Sequence, residues 1–311
     1  MNELVGYAEQ ISAKKRHLFH RKFFPSKLGG RPAWLIPEKF PTECDLSCDA
    51  CGKGLTFILQ IYAPVDEEPS AFHRTISIFF CPSCGDQFKA FRAQLPFDNL
   101  FYPKQAADPK RDFSTIDEIL AITCCSVCGI PRHVGECVVN ALTESLISVE
   151  SAQGEGSEGD EADDLQKELE AMEKYVSEDA GEDFDMVDDN PVCLQDYLAG
   201  TSDEKFNKFS AFNEMNPNHI LYYNRGGYPL FLCEHGSDFK TPCCLLCGKQ
   251  KVFEFQLCPS LIPLMKNENV DFGIVAIFTC HCNISGYACE SIIVQKEPER
   301  WWNTLDSRRR E

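Results

Sequence analysis

The apolar positions of this chain fall mainly in short runs with the two-residue period of β-strands. Residues 74–80 alternate apolar side chains with smaller polar ones, and residues 55–63 form a second β-type run. A period of two places successive side chains on opposite faces of a strand. Because only the loop 64–71 separates the two runs, we expect them to form a hairpin with a long loop.

Helical periodicity is limited to shorter parts of the chain. We predict helices within 9–20, 112–123, 192–215 and 259–267, a further strand at 219–223, and an aromatic-rich cover for the sheet at 88–102. Ser114 is the candidate N-cap of the second of these helices. The sequence therefore predicts a mainly β protein with minor α content.

Three blocks of sequence recur in the same order in the second half of the chain. The matched pairs are 29–35 with 226–232, 48–61 with 244–257, and 76–81 with 275–280. The offset between the copies changes only from 196 to 199, and chance similarity would not keep three separated blocks in register. The pattern indicates an internal duplication in which each copy is one structural unit.

The duplication makes specific structural predictions. The equivalent positions are Gly29 with Gly226, Cys48 with Cys244, Gln60 with Gln256, and Cys81 with Cys280. Both glutamines lie inside otherwise apolar strands, so we expect backbone groups to satisfy their amides. We expect two superposable halves, packed about a pseudo-two-fold axis. Whether they are separate domains or share one core stays open at this point. The predicted division is 1–143 for the N-terminal half, 144–190 for an acidic linker, 191–300 for the C-terminal half and 301–311 for a basic tail.

Cysteines supply the candidate chemistry. The chain has 18 of them and no signal-peptide pattern in its first residues, which favours a reducing compartment and metal binding over disulfides. Two Cys-x-x-Cys turns provide four thiolates for a tetrahedral zinc. The first predicted zinc site consists of Cys48, Cys51, Cys81 and Cys84. The alternative is a set of buried cysteines without a ligand.

The second copy and the middle of the chain carry two less regular clusters. The second predicted zinc site consists of Cys244, Cys247, Cys280 and Cys282, with His281 or Cys289 as substitutes for the tight Cys-x-Cys pair. The third candidate consists of Cys125, Cys128, His133 and Cys137, close to the spacing of a zinc knuckle. A loop with free thiols is the alternative at this third place. All three sites would be structural.

The formal net charge of −18 is concentrated in one segment. Residues 150–189 hold 17 Asp or Glu and 2 Lys, a net charge of −15. Because such a segment has little to bury, we predict that 144–190 is mostly disordered. The flanking halves are close to neutral, which argues against a direct nucleic-acid surface.

One part of the acidic segment has helical spacing. Its apolar positions, separated by four, three and four residues, are Leu165, Leu169, Met172 and Val176. They suit a docking helix or a leucine-rich nuclear export signal, and a transient solvated helix is the alternative. The chain also has no apolar run long enough to span a bilayer, so we expect no membrane partner. Because the cysteines favour a reducing compartment, we expect a cytoplasmic protein, and a working export signal would imply that it shuttles through the nucleus.

Several motifs resemble the programmed cell death two family, whose duplicated unit is the TYPP domain. In the N-terminal half they are Pro25 to Leu35, Gln60 to Pro64, Phe72 to Thr75 and Gln94 to Pro96, and in the C-terminal half Arg225 to Leu230 and Val252 to Gln256. The resemblance implies two zinc-stapled, β-rich TYPP halves. Only the start of the MYND zinc finger found in one branch is matched, at Cys125, Cys128 and Cys137, and its later Cys and His run is missing, which favours the two-like branch.

The resemblance also implies a function. The family includes a two-like branch and a fungal ribosome-assembly branch, and its members act as dedicated chaperones of a basic small-subunit ribosomal protein (S two, universal S five). The implied partners are that protein, the pre-ribosomal particle and a nuclear export receptor. A tethered polyanion would shield a basic client, and free strand edges would hold its tail by strand addition.

Two other classes of function compete with this interpretation. A zinc-dependent adaptor in transcription or cell-death signalling would use the same modules for different partners. An enzyme would be a thiol oxidoreductase or a zinc hydrolase. The chain lacks the Trp-Cys-Gly-Pro-Cys motif of thioredoxin-like proteins, and its metal clusters are closed by cysteine. We therefore expect that it is not an enzyme.

Overall fold

The computed structural model describes residues 3–114, 116–132, 142–153, 204–233 and 240–296. The strands in these ranges are β1 (Leu4–Glu9), β2 (Lys27–Leu28), β3 (Thr56–Tyr62), β4 (His73–Phe80), β5 (Phe88–Leu95), β6 (Ser145–Ser151), β7 (Leu221–Tyr223), β8 (Val252–Leu257), β9 (Ile274–Thr279) and β10 (Tyr287–Gln295). The α-helices are α1 (Glu118–Thr123), α2 (Glu204–Met215) and α3 (Ile262–Met265). The short 3₁₀ turns are Ala13–Phe19, Arg21–Phe23, Pro69–Ala71 and Pro259–Leu261. Within this part of the chain, none of the helices has the length and apolar character needed to span a membrane.

The ten strands close into one antiparallel barrel. Their order around it is β1, β6, β2, β3, β4, β5, β10, β9, β8 and β7, and β7 pairs with β1 to complete the circle. Strands β2 to β5 form one four-stranded meander and β7 to β10 form the other. The meanders meet where β5 pairs antiparallel with β10, as a pseudo-two-fold arrangement requires.

The two copies have the same irregularity of strand pairing at equivalent positions. The β3–β4 ladder has a register shift between Phe57 and Leu59, and the β8–β9 ladder has one between Phe253 and Phe255, which is an offset of 196. A bulge inserts one extra residue and twists the strand. Its recurrence at the same place confirms the duplication that the sequence indicates.

The two strand glutamines confirm the expected backbone contacts. Gln60 Oε1 accepts a hydrogen bond from Ala33 N at 2.7 Å, and Gln256 Oε1 accepts one from Leu230 N at 2.8 Å. The amide Nε2 of Gln60 donates to Pro25 O at 3.0 Å. Each glutamine therefore ties the segment that follows the Gly-Gly turn to the centre of its own meander.

Both halves contribute to one hydrophobic core. Its fully buried members include Leu28, Ile58, Leu59, Ile76 and Ile78 from the first half and Phe255, Leu257, Leu261, Val275 and Ile277 from the second. Removing this apolar surface from water is the main favourable term in folding. The sequence left open whether the halves are separate domains or share one core, and the structure shows that they share a core.

Several secondary-structure predictions need correction. The stretch predicted to cover the sheet contains β5, which lies in the barrel wall, and the helix predicted from residue 112 begins at Glu118 with Asp117 as its N-cap. Asp117 Oδ1 accepts the Leu120 N–H at 3.2 Å, so it, and not Ser114, caps the helix. The predicted helix at 9–20 is a 3₁₀ turn. Of these elements, β5 takes its state from pairing with β4 and β10, which local periodicity does not reveal.

The boundary of the acidic linker is also wrong at its start. Residues 145–151 form β6, which pairs with β1 and β2 and carries part of the barrel closure. The stretch has only three apolar residues, Leu146, Ile147 and Val149, and of these Ile147 and Val149 have the two-residue spacing of a strand. This signal is too short to stand out beside the acidic residues that follow it. A removable linker cannot begin at 144, and the rest of the predicted linker, from 154, lies outside the described residues.

Barrel closure also corrects the idea of strand addition at free edges. Every described strand has neighbours on both sides in the strand order. Closing a sheet removes the exposed edge that an added strand would need. Closure therefore leaves an extended tail only the short stretches where a ladder does not cover the full length of a strand, since β10 pairs with β5 over 287–290 and with β9 over 291–295.

The role of β6 can be tested with two residues on the same strand. Ile147 is 6% exposed and packs in the shared core, whereas Val149 is 44% exposed. We expect Ile147→Asn to lower the free energy of unfolding by about 3 kcal/mol, because it places an amide in an apolar site. The measurement is urea unfolding followed by circular dichroism. The control Val149→Asn should change stability by about 0.5 kcal/mol or less, and equal losses in the two variants would contradict the assignment of β6.

A buried ion pair crosses the barrel between the halves. Arg74 on β4 makes two hydrogen bonds to Glu254 on β8, from Nη1 to Oε1 at 2.7 Å and from Nη2 to Oε2 at 2.8 Å. Both side chains are essentially inaccessible to water. Tyr223 and Thr279 also donate to the carboxylate. Burial raises the pKa of Glu254, but Arg74 and the other donors outweigh that effect and lower it to about 2.

This pair predicts a characteristic pattern of stability. Glu254→Gln leaves Arg74 buried without its counter-charge, so we expect a loss of about 3–5 kcal/mol. The double variant Arg74→Met/Glu254→Leu removes both charges and should be more stable than Glu254→Gln alone. Equilibrium unfolding at neutral pH measures both. A double variant that is less stable than Glu254→Gln would contradict the claim that the unpaired charge of Arg74 causes the loss of stability.

Candidate metal centres

The first cluster brings four sulfur atoms together at one end of the first meander. Cys48 Sγ lies 3.8 Å from Cys84 Sγ, and Cys51 Sγ lies 3.5 Å from Cys81 Sγ. All four sulfurs lie within 4.8 Å of one another. A tetrahedron with zinc–sulfur bonds of about 2.3 Å has sulfur–sulfur edges of about 3.8 Å. The donor set and its spacing therefore fit a tetrahedral zinc.

Local backbone geometry explains how the Cys-x-x-Cys turn forms. The Cys48 N–H donates to Lys53 O at 2.8 Å, and the Gly52 N–H donates to Cys48 O at 2.8 Å. Gly52 has φ +71°, in the left-handed region that glycine adopts without strain. No neighbouring atom would meet a Cβ at Gly52. The glycine is thus required by the turn itself, which directs both sulfurs to the same point.

The second cluster has nearly the same geometry despite its shorter last pair. Cys244 Sγ lies 3.7 Å from Cys282 Sγ, and Cys247 Sγ lies 3.4 Å from Cys280 Sγ. The Cys282 N–H points at Cys280 Sγ, 3.3 Å away. The Cys-x-Cys pair therefore completes the cluster, and neither of the two substitutes is part of it.

The two substitutes have other neighbours. His281 Nδ1 lies 3.1 Å from Arg225 Nη2, and the Cys289 thiol lies 3.8 Å from Glu290 O. Both residues lie close in sequence to members of the cluster, which made them candidates. The local backbone and the strand register direct their side chains elsewhere.

The third candidate repeats the turn, and its predicted partners lie outside the described residues. Cys125 N–H donates to Ile130 O at 2.8 Å, and Gly129, with φ +72°, donates to Cys125 O at 2.9 Å. The Val127 N–H points at Cys125 Sγ. This is the same set of contacts as at Cys48, so Cys125 and Cys128 form a knuckle. The predicted ligands His133 and Cys137 are in the part that the structure does not describe.

The first cluster and the third knuckle are joined by one apolar cluster. Cys48, Cys81, Cys124 and Cys128 pack in it together with Trp34. The Trp34 Nε1–H donates to Gly129 O at 2.8 Å. The tryptophan is thus a packing residue that connects the Gly-Gly turn region with the third knuckle.

A residue of the first half positions the second cluster. Arg92 on β5 donates from Nη1 to Cys282 O at 3.2 Å, and its Nη2 lies 3.7 Å from Cys282 Sγ. Its Nε donates to Glu290 on β10 at 2.5 Å, and Lys251 Nζ lies 2.8 Å from the other carboxylate oxygen. Burial raises the pKa of Cys282, and the Arg92 cation opposes that shift because it favours the thiolate. The second centre therefore depends on contacts from both halves.

Hydrogen bonds to sulfur lower the pKa of one thiol in each cluster, whereas the pKa values of Cys81 and Cys84 in the first cluster and of Cys280 and Cys282 in the second are raised. A bond from the Lys53 N–H lowers the pKa of Cys51 to about 7. Burial raises the pKa of Cys244, but the N–H groups of Leu246 and Cys247 outweigh it and lower that pKa to about 7. Burial raises the pKa of Cys280 to about 12. The thiolate is the form that binds metal, so zinc would displace the proton of Cys280.

The arrangement suits a structural metal. Each cluster supplies four cysteine sulfurs, which fill the coordination shell of a tetrahedral zinc. A catalytic zinc keeps one position for water or substrate, and these donor sets leave none. When bound, the ion would fix the two turns of its half and the strands that leave them.

Comparison with protein families locates both halves of the chain. The family model described as "Programmed cell death protein 2, N-terminal domain" matches residues 3–109. The model described as "Programmed cell death protein 2, C-terminal putative domain" matches residues 203–297. Together they cover well over half of the chain and contain both four-cysteine clusters. The chain belongs to the programmed cell death protein 2 family.

Relatives in several organisms extend along nearly the whole chain. "Programmed cell death protein 2" of Mus musculus is 29% identical over 93% of this chain and 94% of its own length. "Programmed cell death protein 2-like" of Homo sapiens is 25% identical over 88% of this chain and 90% of its own length. These comparisons do not single out the two-like branch that the missing MYND cysteines favoured.

A fungal relative matches a shorter region. "Probable 20S rRNA accumulation protein 4" of Schizosaccharomyces pombe is 30% identical over 113 residues, which is 30% of this chain and 28% of that protein. The comparison with solved structures finds no match.

Zinc content should follow the two clusters independently. Cys51→Ser and Cys247→Ser should each remove one zinc, because three thiolates hold the ion much more weakly than four. Since metal binding and folding are linked, each variant should also melt at a lower temperature or aggregate. Native mass spectrometry of the purified protein measures the count.

Matched controls exist beside each cluster. Cys44 and Cys243 are exposed cysteines outside the clusters, so Cys44→Ser and Cys243→Ser should keep the wild-type zinc count. In the same measurement, Cys128→Ser tests the predicted third zinc. A folded wild-type protein that contains no zinc would contradict the assignment of both centres.

Proposed function

We propose that this protein is a non-enzymatic escort in ribosome biogenesis, which keeps a basic small-subunit ribosomal protein (S two, universal S five) soluble until it joins the pre-ribosomal particle. The observation that carries the proposal is family membership over both halves, together with the fungal relative whose name refers to 20S rRNA accumulation. The coarser role in ribosome biogenesis rests on that relative. The identity of the client rests on the resemblance seen in the sequence.

The metal centres support a scaffold role in place of a catalytic one. Four cysteine sulfurs meet at each centre, and closed thiolate sites stabilise folds without activating water. The ion pair between Arg74 and Glu254 and the contact between Arg92 and Cys282 further fix the two halves relative to each other. A rigid frame of this kind suits a protein that presents surfaces to a partner.

Charge distribution supports a basic client. The whole chain has a net charge of −18, and residues 150–189 alone contribute −15. An unassembled ribosomal protein exposes cationic RNA-binding surface, which attracts nucleic acid nonspecifically. A polyanion on the same chain would compete for that surface through electrostatic attraction that weakens with salt. The structure does not describe residues 154–203, so this step of the proposal rests on sequence charge.

We also propose that the protein is cytoplasmic and passes through the nucleus. The candidate export signal consists of Leu165, Leu169, Met172 and Val176, all of which lie outside the described residues. An export receptor would read these apolar positions from one face of a helix.

The proposal predicts a selective complex. When the tagged full-length protein is expressed in its own cells and purified at moderate salt, native mass spectrometry should find a complex with the named ribosomal protein. Raising the salt to about 0.5 M should reduce its recovery, because screening weakens the long-range attraction. A variant in which Asp or Glu at 178, 179, 182, 183, 185, 188 and 189 are changed to Asn or Gln should recover less client.

Two comparisons make this experiment decisive. Another small-subunit ribosomal protein of similar positive charge, co-expressed with the chain, should not be enriched, since charge alone does not give specificity. Recovery of transcription or signalling proteins without any ribosomal protein would favour the adaptor and overturn the escort proposal.

A further inference from the structure

A cavity of about 440 Å³ lies beside the third knuckle, away from both four-cysteine clusters. Its walls come from the 3₁₀ turns Ala13–Phe19 and Arg21–Phe23, from β2, from the helix α1 and from the knuckle around Gly129. Neither zinc binding by the two clusters nor the proposed escort role makes use of this cavity.

Cationic side chains predominate in its lining. The positively charged members are Arg16, Arg21, Lys27 and Arg31, and the negatively charged members are Asp117 and Glu144. Burial lowers the pKa of His20, which also lines the cavity, so it is neutral at pH 7. The lining therefore carries a net charge of about +2 in a chain whose total charge is strongly negative.

Two of the cations are fixed deep in the wall. The side chain of Lys27 is 1% exposed, and its Nζ contacts Glu144 and donates to Arg31 O at 2.9 Å. The side chain of Arg21 is 10% exposed, and its Nε donates to Asp117 Oδ2 at 2.5 Å. Its Nη1 is buried and has no hydrogen-bond partner among the described residues. The Arg21 guanidinium also lies over the Tyr102 ring, 5.2 Å from its centroid, so the protein itself holds this cation in the wall.

The other two cations remain accessible. Arg16 is 64% exposed and lies 4.0 Å from Glu144, too far for a strong hydrogen bond. Arg31 is exposed and donates to Ser126 O at 3.3 Å. Their guanidinium groups keep most of their donors available, and a guanidinium is shaped to bind a carboxylate or phosphate with two parallel hydrogen bonds.

We propose that this cavity binds a short acidic peptide segment and seats one of its carboxylate or phosphate groups between Arg16, Arg31 and the buried cations. The volume exceeds that of a single oxyanion, so there is room for the side chain that carries it. Phe19, Ile116 and Leu120 also line the cavity and would contact the aliphatic part of that side chain.

The geometry favours a peptide over a nucleic acid. Nucleic-acid affinity depends on several phosphate contacts along a basic groove, and single-stranded bases add aromatic stacking surfaces. Here the cations converge on one cavity, and Lys27 Nζ already lies over Phe19, 4.8 Å from the ring centroid. One acidic side chain would satisfy such a site, whereas a phosphate backbone would not follow it.

Fluorescence anisotropy with the full-length, zinc-loaded protein tests the proposal. The probes are fluorescein-labelled hexaglutamate, a labelled pentapeptide Gly-pSer-Gly-pSer-Gly and labelled hexauridylate. We expect the protein to bind one or both peptides more tightly than hexauridylate. The first two probes distinguish carboxylate from phosphate recognition.

A matched pair of variants locates the binding. Arg16→Gln/Arg31→Gln removes two cations from the mouth of the cavity and should weaken peptide binding about tenfold, since each lost charged hydrogen bond costs affinity. Lys14→Gln/Lys15→Gln makes the same change in net charge at exposed lysines outside the lining and should leave binding within about twofold.

Thermal melting of both variants shows that they remain folded. Equal weakening by the two double variants would mean that general charge, and not this cavity, holds the peptide. Tighter binding of hexauridylate than of either peptide would assign the cavity to nucleic acid. Absence of binding by all probes would also overturn the proposal.

Discussion

Backbone hydrogen bonding between the two halves is the constraint on which the rest of the molecule depends. A four-stranded meander leaves two edges of unpaired N–H and C=O groups, which are costly to bury and prone to aggregation when exposed. Pairing of β5 with β10 satisfies one edge of each meander, and β1 with β6 completes the other side. The shared core, the ion pair between Arg74 and Glu254, and the support of Cys282 by Arg92 all follow from this closure.

The copies have diverged where the barrel interior became asymmetric. Glu254 occupies the position equivalent to Ile58, and Gly273 occupies the position equivalent to Arg74, by the offsets of the paired strands. A Cβ on Gly273 would lie 1.7 Å from the Leu232 side chain, so a larger residue there would require the buried Leu232 to move. At this place a single buried ion pair, Arg74 with Glu254, joins the halves where exact symmetry would have given two, and Arg92 with Glu290 is a separate buried pair at the β5–β10 junction. Because removing two charges from water offsets much of their attraction, such a pair adds little net stability to the fold, whereas loss of one partner is costly.

Prediction from the sequence succeeds where the signal is local. The Cys-x-x-Cys-Gly turns are specified by five consecutive residues, and the duplication correctly predicts that Cys244 faces Cys280. Prediction fails where distant pairing decides the outcome, as in β6, whose short apolar run takes its state from β1 and β2. Arg92 lies in the stretch that the sequence predicted to cover the sheet, and its contact with Cys282 depends on the β5–β10 register. The cavity cations come from separate turns and have no common sequence signal.

Hydrogen–deuterium exchange of the β5–β10 junction tests the central claim that the two halves form one barrel. The β10 residues 287–290 pair with β5 at residues 90–93, so their amides report directly on the junction between the halves. If the barrel opens as one unit, the hydrogen-bonded amides of 287–290 should have opening free energies within about 1 kcal/mol of those in β3 and β4. Junction amides that exchange at nearly the rate of an unfolded chain, while β3, β4, β8 and β9 remain protected, would contradict the account.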